Sequence, residues 1–381
     1  MTASLRRAAG SLLVVGLSGA ELTGLESAWL RLVRPAGIIL FRRNIVDAGQ
    51  TRALLDDATK LSARHSLRCV DVEGGAVDRL RDALAPMPSA RAVARAASAG
   101  DSRSPGSQNR DLGHTYSLAR RHGELVARGI SAFGFNTTLA PVLDLALPES
   151  AQVMGTRVAA ATADGVVHYA RAFLAGLKVH GVVGCGKHFP GLGGGVLDSH
   201  LETPSIRRAW GDLWREDMAP YRELSDELPI IMVNHAAYPD TRGGDRPATA
   251  SSYWVETVLR KRIGYRGIIF SDDMEMGGIL KFLPMEEAAI AAIRAGMDLL
   301  EICHSPELIL RAYEALIAEA ERSKVFRMQL LERAASAARK RAKLFAGGAS
   351  AALSTRRFEA LRAEILRFGA TIANAQEAHP A

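Results

Sequence analysis

Residues 181–191 read Gly-Val-Val-Gly-Cys-Gly-Lys-His-Phe-Pro-Gly, and the fold turns on what that stretch is. Gly181 to Lys187 nearly fits the phosphate-binding pattern G-x-x-x-x-G-K-[ST] of a doubly wound open sheet. Two features argue against it. His188 stands where a hydroxyl should hold Mg²⁺, and Phe189-Pro190-Gly191 follows where a helix should begin and turn its N–H groups to phosphate. The dinucleotide pattern G-x-G-x-x-G fails too, because Val196 occupies the last glycine position. Val182–Lys187 then reads as a strand buried on both faces of a parallel sheet, ending in cationic side chains.

Seven similar apolar runs flank it: Leu12–Leu17, Gly37–Phe41, Arg68–Asp71, Phe135–Leu145, Pro229–Asn234, Gly267–Ser271 and Asp298–Cys303. Amphipathic stretches lie between most of them, at Gln50–Ser62, Leu118–Arg128, Ala163–His180, Trp254–Arg262 and Pro284–Ala295. Eight β/α alternations predict an α/β chain folded as a single (β/α)8 TIM-type barrel, with an open doubly wound sheet as the structural alternative. The barrel should occupy 1–346. Residues 347–381 read as a linker, a helix near Arg357–Arg367 and a frayed tail. The Ser/Gly/Pro-rich run Ala97–Arg110 reads as a surface insert. Arg6-Arg7 ahead of an apolar run allows a short export signal, but a buried strand over Leu12–Leu17 explains the run and is the reading favoured.

The chain has 381 residues, 48% of them hydrophobic and 23% charged, a balance that excludes disordered, collagen-like and coiled-coil chains. Three dispersed cysteines, Cys69, Cys185 and Cys303, exclude a disulfide framework and a paired-Cys zinc site, and fit a reducing compartment. The net charge of +7 is spread along the chain rather than gathered for nucleic acid. Its densest stretch, Lys324–Lys343, reads as the solvated face of a surface helix. No run reaches the ~20 apolar residues of a membrane span.

Barrels of this kind carry their chemistry at the C-terminal strand ends. Those ends hold Asp71 and Glu73, then Pro141, Asp144 and Arg157, then Lys187 and His188 with Asp198-Ser199-His200 beyond a glycine-dense loop. Asn234 and His235, Asp272 and Asp273, and Glu301 and His304 complete the rim. Strand alternation lets one of Asp272 and Asp273 face the rim's centre, as nucleophile or electrostatic stabiliser, while the other turns to packing or caps the next helix. Asp198 and His200 share a side of an extended segment, so the acid can orient the imidazole for proton transfer; a surface Asp–His hydrogen bond explains the pair equally well. The run Gly191–Gly195 suits a moving lid. No metal-ligand spacing is present, and no cofactor is expected.

Lys187-His188-Phe189-Pro190-Gly191 followed by Asp198-Ser199-His200 and Pro204 resembles the signature of family 3 glycoside hydrolases, in particular the bacterial β-N-acetylhexosaminidases. Ile269-Phe270-Ser271-Asp272-Asp273-Met274 is similar to that family's nucleophile strand. Val70-Asp71-x-Glu73-Gly74-Gly75-x-Val77-x-Arg79-Leu80, Gly37–Asn44 and Ala295–Asp298 match further motifs, in order, from about Leu12 to Leu344. The resemblance implies a retaining exo-β-N-acetylglucosaminidase with a covalent glycosyl-Asp intermediate, acting in the cytoplasm on peptidoglycan-derived fragments. It implies Asp272 as nucleophile, His200 as general acid/base and Asp198 as its orienting partner. Asp71, Arg79, Arg157, Lys187 and His188 would bind the sugar. The implied partner is a small carbohydrate, with neither nucleic acid nor membrane, and the implied state is a monomer. A β-glucosidase or β-xylosidase, a phosphorylase giving a sugar 1-phosphate, and an inactive sugar-binding relative are the alternatives. The sequence departs from the family at Leu192, where His is usual, at Ala76, where Arg is usual, and at Val158-Ala159-Ala160, where Ser-Phe-Gly is usual.

Overall fold

A computed structural model describes residues 2–99, 108–195, 204–346 and 351–377. Eight parallel strands close into one barrel: β1 Leu13–Gly16, β2 Gly37–Leu40, β3 Leu67–Val70, β4 Thr137–Thr138, β5 Val183–Phe189, β6 Ile230–Val233, β7 Ile268–Asp273 and β8 Leu299–Ile302. Each strand pairs with the next in sequence, and β8 returns to β1 through Leu13↔Leu300 and Val14↔Glu301. The open-sheet alternative is thereby excluded, and residues 181–191 form the fifth barrel strand and its exit.

The strands are apolar on both faces because each face has a different cover. Val14, Ile39, Cys69, Cys185, Met232, Phe270 and Leu299 fill the barrel interior. Val15, Leu40, Val70, Ile231, Ile269 and Leu300 pack outward on the helices. The helices start at capping residues the chain supplies. Thr23 and Glu26 form a reciprocal capping box, and Asp47, Thr162 and Ser305 each accept an N–H of the first turn. The two long helices Gln108–Ala132 and Ala163–Val179 approach closely at glycine. A Cβ at Gly176 would lie 2.2 Å from the Arg120 carbonyl oxygen.

Three expected element bounds need correction. The fourth strand is only Thr137–Thr138, not Phe135–Leu145. Pro141 has no N–H for a ladder, and the chain instead follows β5 irregularly through the Leu143 N–H to the Lys187 carbonyl. Helices Ala90–Ala99 and Gln108–Ala132 take up both flanks of the run Ala97–Arg110 expected as a surface insert, and residues 100–107 lie outside the described residues. The last helix runs Thr355–Glu377, not Arg357–Arg367 and a frayed end. Leu361, Ile365, Phe368 and Ile372, spaced three to four apart, bury its inner face. Phe358 meets Phe133 in the helix Gln108–Ala132, and Arg128 of that helix ion-pairs with Glu364 at 2.7 Å.

The basic stretch forms the helix Lys324–Leu344, but its cations are not simply solvated. Ala337, Leu344 and Phe345 pack against the interior apolar cluster. Lys340 Nζ donates to Asp298 at 2.9 Å, beside Arg260 on the same carboxylate. Arg341 is buried. The helix therefore backs the end of the barrel opposite the site, and Asp298 is a stability residue there. The apolar run after Arg6-Arg7 divides into the helix Thr2–Gly10 and β1, so Leu13–Gly16 is a barrel strand. No described helix is long and apolar enough to cross a membrane. All three cysteines are free and buried.

Candidate active site

Two strands on either side of the short β4, β3 and β5, supply the charged centre of the site. Beyond β3, the chain folds into a ribbon of Val72–Gly74 against Val77–Asp78, turned by Gly74 at φ +89°. A side chain there would drive its Cβ to 2.0 Å from the Pro88 carbonyl oxygen, so only glycine fits. The ribbon puts Glu73 and Arg79 beside Asp71. Lys187, from β5, lies 2.9 Å from Asp71 Oδ1 and 2.6 Å from Glu73 Oε1. Arg157, on the turn Gly155–Arg157, grips Glu73 with two parallel bonds of 2.8 and 2.9 Å. Arg79 stands 3.7 Å from Asp71. Glu73 and Lys187 are each 3% exposed, so these charges are tied to one another rather than to water. Burial opposes ionisation of Glu73, but Arg157 and Lys187 outweigh it and hold its carboxyl far below the usual range. Burial likewise opposes the charge on Lys187, and Asp71 and Glu73 overcome it, raising its pKa.

His188 is held from behind. Its Nδ1–H donates to Asp144 at 2.7 Å, while Nε2 lies 3.3 Å from Arg157. Asp144 also accepts the backbone N–H of Leu192 at 2.7 Å, so one buried carboxylate fixes both the imidazole and the start of the glycine-rich loop. Tyr238 donates to the Gly191 carbonyl at 2.7 Å, and the Leu192 carbonyl receives the Gly195 N–H. The described part of the expected lid is thus an anchored stem. Asp217 packs under Gly191 and pairs with Arg208 at 2.9 Å; burial pushes its carboxyl up to about 7.

On β7, Asp272 Oδ1 accepts the Asp273 N–H at 3.0 Å. Burial works against its ionisation, but His188, His235 and Lys187, with that N–H, hold it below its usual value. Asp273 is different. Burial, aided by Glu275 and Asp272, pushes its carboxyl up to about 7, and Oδ1 caps the Glu275 N–H at 3.1 Å. One acid is therefore charged and the other serves the following turn, as alternation along a strand allows. His235 is fully buried, with its ring between Thr249 and the Asp273 carbonyl at 2.9 and 3.0 Å. Asn234 Nδ2 donates to the His188 carbonyl at 3.0 Å.

These strand ends open into a cavity of about 370 Å³. Asp71, Arg79, Arg157, Lys187, His188 and Asp272 all line it, and Phe41, Met154, Leu192, Met232 and Met276 supply apolar wall. Six of the eight site residues expected from the sequence converge there. The other two, Asp198 and His200, lie outside the described residues. Glu73 and Asp144 carry more of the arrangement than the sequence reading assigned them. The signal for Glu73 was its position two residues past a strand-end acid; Asp144 had only its place near the end of the fourth run.

A charged pocket that sets an ionised strand-end aspartate beside buried cations suits nucleophilic displacement at a polyhydroxylated ring. Comparison with known proteins bears on the family. The family model described as "Glycosyl hydrolase family 3 N terminal domain" matches residues 5–338. A β-hexosaminidase of Alkalilimnicola ehrlichii is 37% identical over 298 residues, 78% of this chain and 82% of that protein. A family 3 β-N-acetylglucosaminidase from Paenibacillus sp. superposes with a TM-score of 0.81 at 29% identity, over 96% of this chain and 68% of the other. NagZ of Neisseria gonorrhoeae in complex with N-trifluoroacetyl-D-glucosamine gives 0.74 at 27% identity, over 94% and 98%.

Proposed function

This chain belongs to glycosyl hydrolase family 3, and from that premise we propose that it is a retaining exo-β-N-acetylglucosaminidase releasing GlcNAc from peptidoglycan-derived glycosides. The ionised Asp272, which lines a cavity of one-ring size together with Lys187 and His188, carries the reading. Asp272 would attack the anomeric carbon from below the ring, forming a glycosyl ester as the aglycone leaves. His200 would protonate the departing oxygen, with Asp198 orienting its ring. The neutral imidazole would then take a proton from water as that water displaces Asp272, so two inversions retain the β configuration. Asp71, Arg79, Arg157, Lys187 and His188 would hold the ring hydroxyls. The cavity's small volume favours a single sugar at a chain end. Three free thiols suit a cytoplasmic site of action.

The first test compares p-nitrophenyl β-GlcNAc with the β-glucoside, each with and without phosphate. Release from the GlcNAc substrate, with free GlcNAc as product in both buffers, is expected. GlcNAc 1-phosphate would make the protein a phosphorylase, faster glucoside release a β-glucosidase, and silence on both a binding protein. His200→Ala should slow glycosylation of a GlcNAc–anhydromuramic acid substrate by about 10²- to 10⁴-fold. The p-nitrophenyl glycoside should lose far less in that step, because its leaving group needs no proton. Equal losses in single-turnover rates would argue against His200 as the acid.

A further inference from the structure

The cavity floor holds an acid with no role in the steps above. Glu301 lies on β8, opposite Asp273 in register and between Leu299 and Cys303, whose side chains belong to the barrel interior. It is 2% exposed, lines the cavity, and its Oε1 is buried without a hydrogen-bond partner. Among the described residues no cation pairs with it. Lys187 is shared by Asp71 and Glu73, and Arg157 is committed to Glu73. The charged and titratable groups around it are Asp273 and Asp272 on β7, Asp71 after β3, Lys187 and Cys185 on β5, Cys69 on β3 and Cys303 on its own strand. Burial, then the three aspartates, push its pKa well up against the opposing Lys187. A carboxylic acid that keeps its proton offers one O–H donor and one carbonyl acceptor side by side, which is what a hydroxyl group needs from a partner. Oε1 has no partner among the described residues, at an expense in folding that a bound hydroxyl would offset.

We propose that Glu301 is a specificity-determining residue that hydrogen-bonds a ring hydroxyl on the deeply buried edge of the sugar, the edge away from the aglycone. The assignment rests on the glycosidase reading. Glu301 touches the substrate but takes no part in bond making or breaking.

The test uses the full-length protein and p-nitrophenyl β-GlcNAc, with its 3-, 4- and 6-deoxy analogues. Glu301→Gln keeps a donor and an acceptor and should stay within about threefold of wild type in kcat/KM. Glu301→Leu should lower kcat/KM by about 10- to 100-fold while melting at or above the wild-type temperature, because an unpartnered polar group has been replaced by an apolar one. One deoxy substrate should be poor for wild type, and its removed hydroxyl should make little further difference to Glu301→Leu. That coupling is not expected of a residue whose role is structural alone. Glu301→Met serves as the apolar variant if the leucine side chain destabilises the barrel. Wild-type kinetics in Glu301→Leu or Glu301→Met, or equal losses on every deoxy substrate, would overturn the assignment. A wild-type protein inert toward all β-GlcNAc glycosides would instead sink the glycosidase reading.

Discussion

Asp272→Gly is expected to reduce kcat for β-GlcNAc release by at least about 10⁴-fold, with the melting temperature little changed. The carboxylate is held ionised because the two imidazoles, Lys187 and the Asp273 N–H outweigh its burial. Its position at the end of β7 is set by the backbone, so a small side chain leaves the surrounding pocket intact. Added azide should restore part of the rate with an activated aryl glycoside. The anion would occupy the vacated space below the ring and attack there once, yielding the α-glycosyl azide. Product analysis by NMR decides the outcome. A β-configured product, or full activity without azide, would remove Asp272 from the nucleophile's place. Since its carboxyl titrates below the ordinary Asp range, wild-type kcat/KM should show no loss from Asp272 protonation until pH falls below about 3.9.

Glu73→Gln is expected to destabilise the protein by about 3–5 kcal/mol, the usual penalty for stripping one partner from a buried ion network. Lys187 would keep only Asp71, and Arg157 would lose both of its short bonds. For a chain of this length the melting temperature should fall by roughly 5 °C, and sugar affinity should fall with it because both cations face the cavity. The pH dependence has a defined sign. Glu73 is a stronger acid in the folded state than in the unfolded one, so its stabilisation is complete above the unfolded value of about 4.3. It fades as pH drops from there toward the folded value. Denaturant titrations from pH 6 to pH 3 should therefore show a shallower acid loss in Glu73→Gln than in wild type. A variant melting within 1 °C of wild type would mean that the network contributes nothing net.

The barrel was readable because each of its strands is an apolar run with polar residues or glycine at one end, and because the acids and cations gather at the same end of every run. Strand ends converge in a closed barrel, so Asp71, Lys187 and Asp272, 85 to 201 positions apart, could be assigned to one rim. What escaped the reading has physical causes. Glu301 was placed on the rim but given no role, because a single acid within an apolar run carries no spacing signal and its lack of a partner is a three-dimensional fact. Asp144 is informative only once His188 and Leu192 are seen on either side of it. The helix Lys324–Leu344 has the composition of a solvated face, yet Lys340 reaches a buried aspartate. Long basic side chains bury their stems and place their charge at a distance, which composition does not record.

The shortest seam of the barrel lies at β4, which offers only Thr137 and Thr138 to its neighbours on either side. Above that seam, Lys187 on β5 reaches Asp71 and Glu73 beyond β3, so the groups proposed to grip the sugar also lash the two flanking strands together. Selection at these positions answers to two demands at once. A lineage drifting toward a new sugar could not readily exchange Lys187, Asp71 or Glu73 without first acquiring stability elsewhere. Changes of substrate preference should instead accumulate in Phe41, Val153, Met154, Leu192 and Met276, wall residues that make no ion pair and can vary one at a time.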